Sequence, residues 1–303
     1  IGGWGSLSAQ SAGSNYSRQV NTLIGTKGVG LTSGYLYPGA TYPYGMVQFT
    51  PSYFSKRSGF VINQLSGGGC EHMGNFPTFP VKGKLKMSPD NILNYRINIS
   101  EEKGHAGYYE AMVQEDIKAK LTVTERTGMA SYEYPADQQY GTVIIGGGIS
   151  ATPIEQAAIV ITAPNKCEGY AEGGNFCGLR TPYKVYFVAE FDTDALESGT
   201  WKRNELKPNT TFAEGEYSGV YFTFDVNKKK NIQYKIGVSY VSVENARENL
   251  KAENTGWDFV QIQSQAEAKW NHYLSKIEVE GTNPDRTTQF YTHLYRSFIH
   301  PNV

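Results

Sequence analysis

No stretch of this 303-residue chain approaches the roughly 20 consecutive apolar residues that a membrane-spanning helix needs, so no membrane span is expected. An excess of either charge is missing as well. Lys and Arg number 28 against 29 Asp and Glu, and the only basic run is Lys228-Lys229-Lys230, which argues against a nucleic-acid partner. No signal peptide opens the chain, and Ile1 reads as a mature or engineered end. The 3 cysteines cannot all pair with one another. Cys167 and Cys177 bracket the Gly/Asn-rich segment 168–176 between two strand-like runs. A hairpin-tip disulfide there, implying an oxidising compartment, stands against two ordinary thiols, and Cys70 stays unpaired. The cysteine spacings match no zinc pattern, and the scattered His105, His272, His293 and His300 are assigned no metal. The N-x-[ST] triplets at Asn15, Asn98 and Asn209 are near chance and decide nothing.

What the chain does hold is tyrosine, glycine and alternation. Aromatic residues make up 13%, with 22 tyrosines, at a mean hydropathy of −0.45. This is the balance of a β-rich protein with amphipathic rings at half-exposed positions, a composition common on surfaces that meet sugars or peptides. Residues 25–83 concentrate 12 glycines with Pro38, Pro43, Pro51, Pro77 and Pro80. Glycine serves where the backbone needs positive φ or close approach, and proline fixes corners. The densest part, Ser66-Gly-Gly-Gly-Cys-Glu-His-Met-Gly-Asn-Phe-Pro77, therefore reads as a shaped loop exposing polar side chains, the kind of loop that carries binding work. Glu71 and His72 adjoin and should point apart, so they do not form a catalytic pair. A sugar contact by at least one of them is weighed against a purely structural salt link. Cys70 reads as a packed small residue rather than a nucleophile. Gly25-Thr-Lys-Gly-Val-Gly lacks the spacing of a phosphate loop, and Gly146-Gly-Gly148 reads as a sheet-edge bend.

Residues 1–18 are Gly/Ser-rich and without periodicity, a loose leader. From Glu110 to about Val241 apolar and polar residues alternate, as in Gly219-Val-Tyr-Phe-Thr-Phe-Asp-Val, with turns at Pro135-Ala-Asp, Ala163-Pro-Asn and Asn227-Lys-Lys. Period two with β-branched and aromatic residues predicts strands that pair antiparallel into a sandwich over 19–242. The segment 243–281 changes to helical spacing, with Glu244–Lys251 first and then Phe259, Ile262, Ala266, Trp270, Tyr273 and Leu274, before a strand-like Lys276-Ile-Glu-Val-Glu. Over 282–303, Asn283-Pro284 opens a third helix with a cap residue and proline, and Phe290, Leu294 and Phe298 form its apolar stripe beside Tyr291 and Tyr295. Such a stripe needs a partner surface, so the chain looks truncated, with this helix exposed. Trp257 and Trp270 fit the helical pattern as core, and Trp201 remains a possible sugar platform.

Several segments together resemble glycoside hydrolase family 92, the calcium-dependent exo-α-mannosidases. They are Val20-Asn-Thr-Leu-Ile-Gly-Thr, the run Tyr37-Pro-Gly-Ala-Thr-Tyr-Pro-Tyr-Gly-Met-Val-Gln-Phe-Thr-Pro, and Leu65-Ser-Gly-Gly-Gly-Cys. Ser239-Tyr-Val-Ser-Val-Glu-Asn-Ala-Arg-Glu-Asn-Leu and Phe290-Tyr-Thr-His-Leu-Tyr-Arg-Ser follow downstream. The resemblance implies an N-terminal antiparallel β-supersandwich, a helical linker and the first helix of an (α/α)6 barrel. It further implies hydrolysis of terminal α-mannosides of glycans, including N-glycans, with inversion, in an α-1,2-mannosidase-like enzyme that is secreted, periplasmic or at the cell surface. A glutamic acid, a carboxylate base and calcium would carry that reaction. In the family acid and base come from the barrel, and no position here matches either, so this chain is expected to be inactive alone. The barrel itself would be its partner, together with a mannose-containing glycan. By position, Gly67, Gly68, Gly69, Cys70, Glu71, His72 and Asn75 are the choice for one wall of the sugar pocket, with Gly25, Thr26, Gly39 and Arg57 as companions. Where many members carry a Phe-Ser-His-Thr-His-like run, this chain has Phe60-Val-Ile-Asn-Gln, which leaves the linkage open. Two other readings compete: a free-standing carbohydrate-binding β-sandwich, and a scaffold that touches no ligand.

Overall fold

The computed structural model describes residues 15–26, 36–52, 59–92 and 98–302. In chain order the elements are α1 (Tyr16–Gln19), β1 (Ala40–Thr41), β2 (Gln48–Pro51), β3 (Phe60–Val61), β4 (Thr78–Lys82), α2 (Pro89–Ile92), β5 (Ile99–His105), β6 (Tyr108–Val113), β7 (Ile117–Val123), β8 (Thr127–Glu133) and β9 (Tyr140–Gly146). There follow β10 (Ile154–Ala163), β11 (Lys166–Phe176), β12 (Leu179–Phe191), β13 (Glu197–Lys202), β14 (Glu205–Pro208), β15 (Phe212–Glu214), β16 (Ser218–Asp225), β17 (Asn231–Ser239), α3 (Val243–Glu253), α4 (Phe259–Leu274) and α5 (Pro284–Ser297).

The strands form an antiparallel sandwich, as the alternation predicts. One sheet has eight strands in the order β1-β2-β3-β4-β9-β16-β13-β14, and the other has nine, β15-β10-β11-β12-β17-β8-β7-β6-β5. Rings from both meet between them: Phe191 of β12 lies 5.0 Å from Phe222 and from Phe224 of β16, and Phe60 of β3 stacks 6.4 Å from Tyr132 of β8. Trp201, read as a possible sugar platform, is fully buried in this core. Burial of such rings is the main term holding the sheets together.

Of the three C-terminal helices, α3 and α4 pack on the nine-stranded sheet, and α5 packs against α1 and α4. α3 presses Ala246 and Leu250 onto Val188, and a Cβ at Gly237 would come 2.5 Å from the Ala246 carbonyl oxygen, so only glycine admits the helix this closely. In α4, Trp270 is fully buried as expected, its indole N–H donating to the Thr41 carbonyl at 2.7 Å. The segment 276–280 makes no strand and runs as an irregular connection to α5.

α5 is covered, contrary to the expectation of an exposed stripe. Its buried line is Tyr291, Tyr295 and Ile299, packed with Val20, Trp270 and Leu274, whereas Phe290, Leu294 and Phe298 are half-buried beside it. The difference comes from the tyrosines, whose rings are apolar while their hydroxyls find partners. The Tyr295 hydroxyl meets Thr41 Oγ1 at 2.5 Å, and that of Tyr291 donates to the Ile277 carbonyl at 3.4 Å. The chain start also departs from the sequence reading. Tyr16–Gln19 is a helical turn with Ser17 buried, held by Asn271 Oδ1, which accepts from the Ser17 N–H at 2.7 Å, while residues 1–14 lie outside the described residues.

From α5 the Arg296 side chain reaches the N-terminal segments. Its guanidinium donates to the carbonyls of Tyr37 (3.0 Å), Thr22 (2.6 Å) and Ile24 (3.4 Å) and to Ser66 Oγ (3.3 Å). One planar fork therefore fixes three stretches that are far apart in sequence.

The disulfide joins Cys70 to Cys177, not Cys167 to Cys177. Residues 168–176, read as a loop, belong to β11, so Cys167 and Cys177 lie ten positions apart along one extended hairpin arm. At about 3.3 Å per residue that is roughly 33 Å, far beyond bonding reach. Cys177 instead occupies the hairpin tip with Gly178, both at positive φ (53° and 82°), as a two-residue hairpin turn of the primed type requires. Cys167 is a buried free thiol opposite Ala189, its pKa pushed well up by burial.

Two outcomes follow. Arg296→Leu should cost about 2–4 kcal/mol in a denaturant melt and speed hydrogen exchange at 22–26 and 65–72, and Arg296→Lys should not restore the loss because one ammonium cannot span four acceptors. Peptide mapping without reductant should link Cys70 to Cys177 and leave only Cys167 alkylatable, and only after denaturation. Cys177→Ala should cost about 2–4 kcal/mol.

Candidate functional site

The segment 65–76 is a closed loop whose polar groups divide between inside and outside. His72 is 1% exposed, and its Nε2 accepts from the Leu65 N–H at 2.8 Å. Its Nδ1–H donates to the Cys70 carbonyl at 2.6 Å, so the ring is the neutral Nδ1–H tautomer. Burial lowers its pKa against the opposing pull of these backbone contacts. The ring also packs edge-on against Phe176, 5.2 Å away, next to the disulfide at the hairpin tip. A Cβ at Gly68 would come 2.6 Å from His72 Cε1, which explains the glycine there.

Asn75 turns inward as well. It is fully buried, its Oδ1 accepting from the Tyr183 hydroxyl at 2.8 Å and from Asn63 Nδ2 at 3.0 Å. Asn63 Oδ1 in turn accepts the N–H groups of Gly74 (3.0 Å) and Asn75 (2.8 Å). Gln48 Oε1 accepts the Ser66 N–H at 3.1 Å, and Ser66 Oγ accepts the Tyr37 N–H at 3.1 Å. His72 and Asn75, chosen as hydrogen-bonding heads for a sugar, are thus committed to holding the loop, because an isolated glycine-rich backbone needs its polar groups satisfied internally.

The outer face is built differently. Glu71 is exposed, points away from His72 as adjacent extended residues must, and has no hydrogen bond or ion pair among the described residues. Gly67 and Gly69 are exposed at positive φ (81° and 77°), and the N–H groups of residues 67–71 have no partner among the described residues. These are donors that a hydroxyl-rich ligand could meet, with one carboxylate beside them as acceptor. Cys70, tied in the disulfide, carries no free thiol and is the loop's covalent anchor.

Of the companion residues, Gly25 and Thr26 do join this rim. Leu36 packs between Gly25 and Gly67, where added Cβ atoms would lie 2.5 and 3.6 Å from its methyl carbons. Thr26 is buried with its hydroxyl donating to the Leu23 carbonyl at 2.8 Å, leaving Gly25 as the exposed member of the pair. Gly39 does not belong here. It is buried, its N–H donates to Thr50 Oγ1 at 3.1 Å, and a Cβ would come 2.2 Å from the Phe49 carbonyl oxygen, so it is a packing glycine. Arg57 lies outside the described residues.

Sequence reasoning missed the supports of the loop: Arg296, Gln48 and Asn63. Arg296 stands in a quoted motif, but nothing local signals that its guanidinium reaches Tyr37, 259 positions away. Among the described residues no three His, Cys, Asp or Glu side chains converge as a metal set, and Glu71 is the sole carboxylate of 65–76. The described residues thus offer no side-chain cage for the calcium expected from the family.

The glycosyl hydrolase family 92 N-terminal domain model matches residues 19–239, and the glycosyl hydrolase family 92 catalytic domain model matches 245–303. An uncharacterized secreted glycosidase of Arthroderma benhamiae is 25% identical, over 94% of this chain and 41% of its own length. Among solved structures, a family GH92 α-mannosidase from Bacteroides thetaiotaomicron superposes with a TM-score of 0.81 at 24% identity, covering 95% of this chain and 42% of that one. A family GH92 inverting mannosidase of the same organism gives 0.79 at 23% identity, covering 95% and 40%. The chain thus spans about two-fifths of the length of these relatives. With a family model matched from residue 19 to residue 239 of the 303, on the sandwich just described, the chain belongs to glycosyl hydrolase family 92.

Proposed function

We propose that this chain is the sandwich portion of an inverting exo-α-mannosidase, α-1,2-mannosidase-like, that removes terminal α-mannosyl units from glycans. The 65–72 loop forms one wall of its sugar pocket. The observation that carries this reading is the row of N–H groups at 67–71 that have no partner among the described residues, with the exposed Glu71 beside them, on a loop fixed from beneath by His72, Arg296 and a disulfide. A mannosyl ring presents hydroxyls that need donors and acceptors held at fixed positions, and a fixed loop meets them without an ordering cost at binding.

Inversion needs two carboxyl groups about 6.5–9.5 Å apart with a water between. The loop offers one, so Glu71 acts as a hydroxyl acceptor that orients the sugar, while acid and base belong to residues beyond this chain. The same holds for calcium. The chain alone is therefore a binding wall without the reactive pair. A structural disulfide fits an oxidising compartment, hence a secreted, periplasmic or cell-surface protein.

In the full-length protein Glu71→Ala should lower kcat/KM on terminal α-mannosides about tenfold or more, with no change in Tm because Glu71 supports nothing in the fold. An unchanged kcat/KM would remove the loop from the pocket. The 303-residue chain assayed by itself should release no mannose; turnover by that chain would overturn the division of labour.

A further inference from the structure

A second depression, about 490 Å³, opens on the outer face of the nine-stranded sheet where the connection from α3 to α4 crosses β7, β8 and β17. Its floor is a cross-strand row. Lys120 of β7 pairs in register with Ser131 of β8, which pairs with Gln233 of β17, and Asn231 lies two positions along the same strand. Its wall is Trp257, Phe259 and Val260, the last 68% exposed, with the Asp258 carboxylate at the rim.

The polar groups of the floor are not used up by the fold. Lys120 has no ion pair or hydrogen bond among the described residues, so its ammonium is available. The Gln233 side-chain carbonyl is shielded from solvent yet accepts no hydrogen bond. Ser131 Oγ–H donates to Asn231 Oδ1 at 2.7 Å, which fixes that amide and leaves its NH2 group without a partner among the described residues. Lys235 sits 4.4 Å over the Trp257 ring and holds the Asn254 carbonyl at 3.0 Å, so the indole is braced in place.

We infer that this depression is a glycan-binding site that takes one pyranose unit of an oligosaccharide. A pyranose combines an apolar C–H face with a ring of hydroxyls that both donate and accept. The depression matches that with an indole and aliphatic wall on one side and two amides, a hydroxyl and an ammonium on the other. Its lining carries one ammonium and one carboxylate, so the site has no net pull on a phosphate or sulfate, and its floor is too polar for an aliphatic ligand. Its residues lie on β7, β8, β17 and the linker, none of them part of the 65–76 loop. The assignment does not depend on the mannosidase reading.

The test is titration of the full chain with methyl α-mannopyranoside and, separately, N-acetylglucosamine, read by saturation-transfer NMR and by tryptophan fluorescence. At least one probe should bind saturably with a Kd on the order of 1 mM, the Glu71→Ala protein should bind it equally well, and Gln233→Leu, Lys120→Ala and Trp257→Ala should each weaken it about tenfold. Should Trp257→Ala lower Tm, the two sheet-face variants decide alone. Absence of saturable binding, binding that survives Gln233→Leu and Lys120→Ala, or binding lost only with Glu71 would each overturn the assignment.

Discussion

The guanidinium of Arg296 is the contact on which the rim of this molecule depends. It takes the carbonyls of Thr22, Ile24 and Tyr37 and the hydroxyl of Ser66 into one plane, and each of those segments is otherwise short of regular structure. A glycine-rich backbone loses about 1–2 kcal/mol per residue on being fixed, more for glycine itself, and no apolar side chain at 67–69 offsets it. The loop must be held by polar and covalent ties from outside, and those ties converge from α5, β2, the residues after β3, and the β11–β12 tip.

That arrangement explains which residues face the solvent. A buried loop anchor must be a side chain with several directional partners, and His72, with a backbone donor at one ring nitrogen and a backbone acceptor at the other, fits the role only while neutral. Asn75 and Asn63 do the same with amides. What remains for a ligand is the part of the loop least suited to holding itself: bare glycine N–H groups and a carboxylate on a chain that points outward.

Alternation made the sandwich legible, since β6 alternates between buried and half-buried residues along its whole length, as β17 does at its start, and turn residues separate the strands. Composition misled where it was read as a rule for loops. Gly169 is a strand residue whose missing Cβ lets Ala158 approach, because an added Cβ would lie 2.1 Å from that carbonyl oxygen, so the glycines of 168–176 mark close packing rather than a turn. In α5 the seam fell one residue away from the phenylalanine stripe because Tyr291 and Tyr295 behave as core residues once Ile277 and Thr41 receive their hydroxyls. At the site, Glu71 and the glycines were readable as an exposed rim, while the inward turn of His72 and Asn75 was not. That turn depends on Tyr183 and Asn63, 108 and 12 positions from Asn75.

The two family models divide the chain between residues 239 and 245, yet the mechanics do not divide there. Arg296 lies in the part that matches the catalytic domain model and shapes a loop in the part that matches the N-terminal one. Tyr295 and Trp270 similarly seat on Thr41 through its hydroxyl and its carbonyl. A shift of α5 by one helical turn, about 5.4 Å, would break the Arg296 and Tyr295 contacts together. Whatever packs against the half-exposed side of α5 is thereby coupled to the position of Ser66 and the glycines after it. A loop in the part that matches the N-terminal model is thus held in place by a helix in the part that matches the catalytic one, so the two cannot move independently.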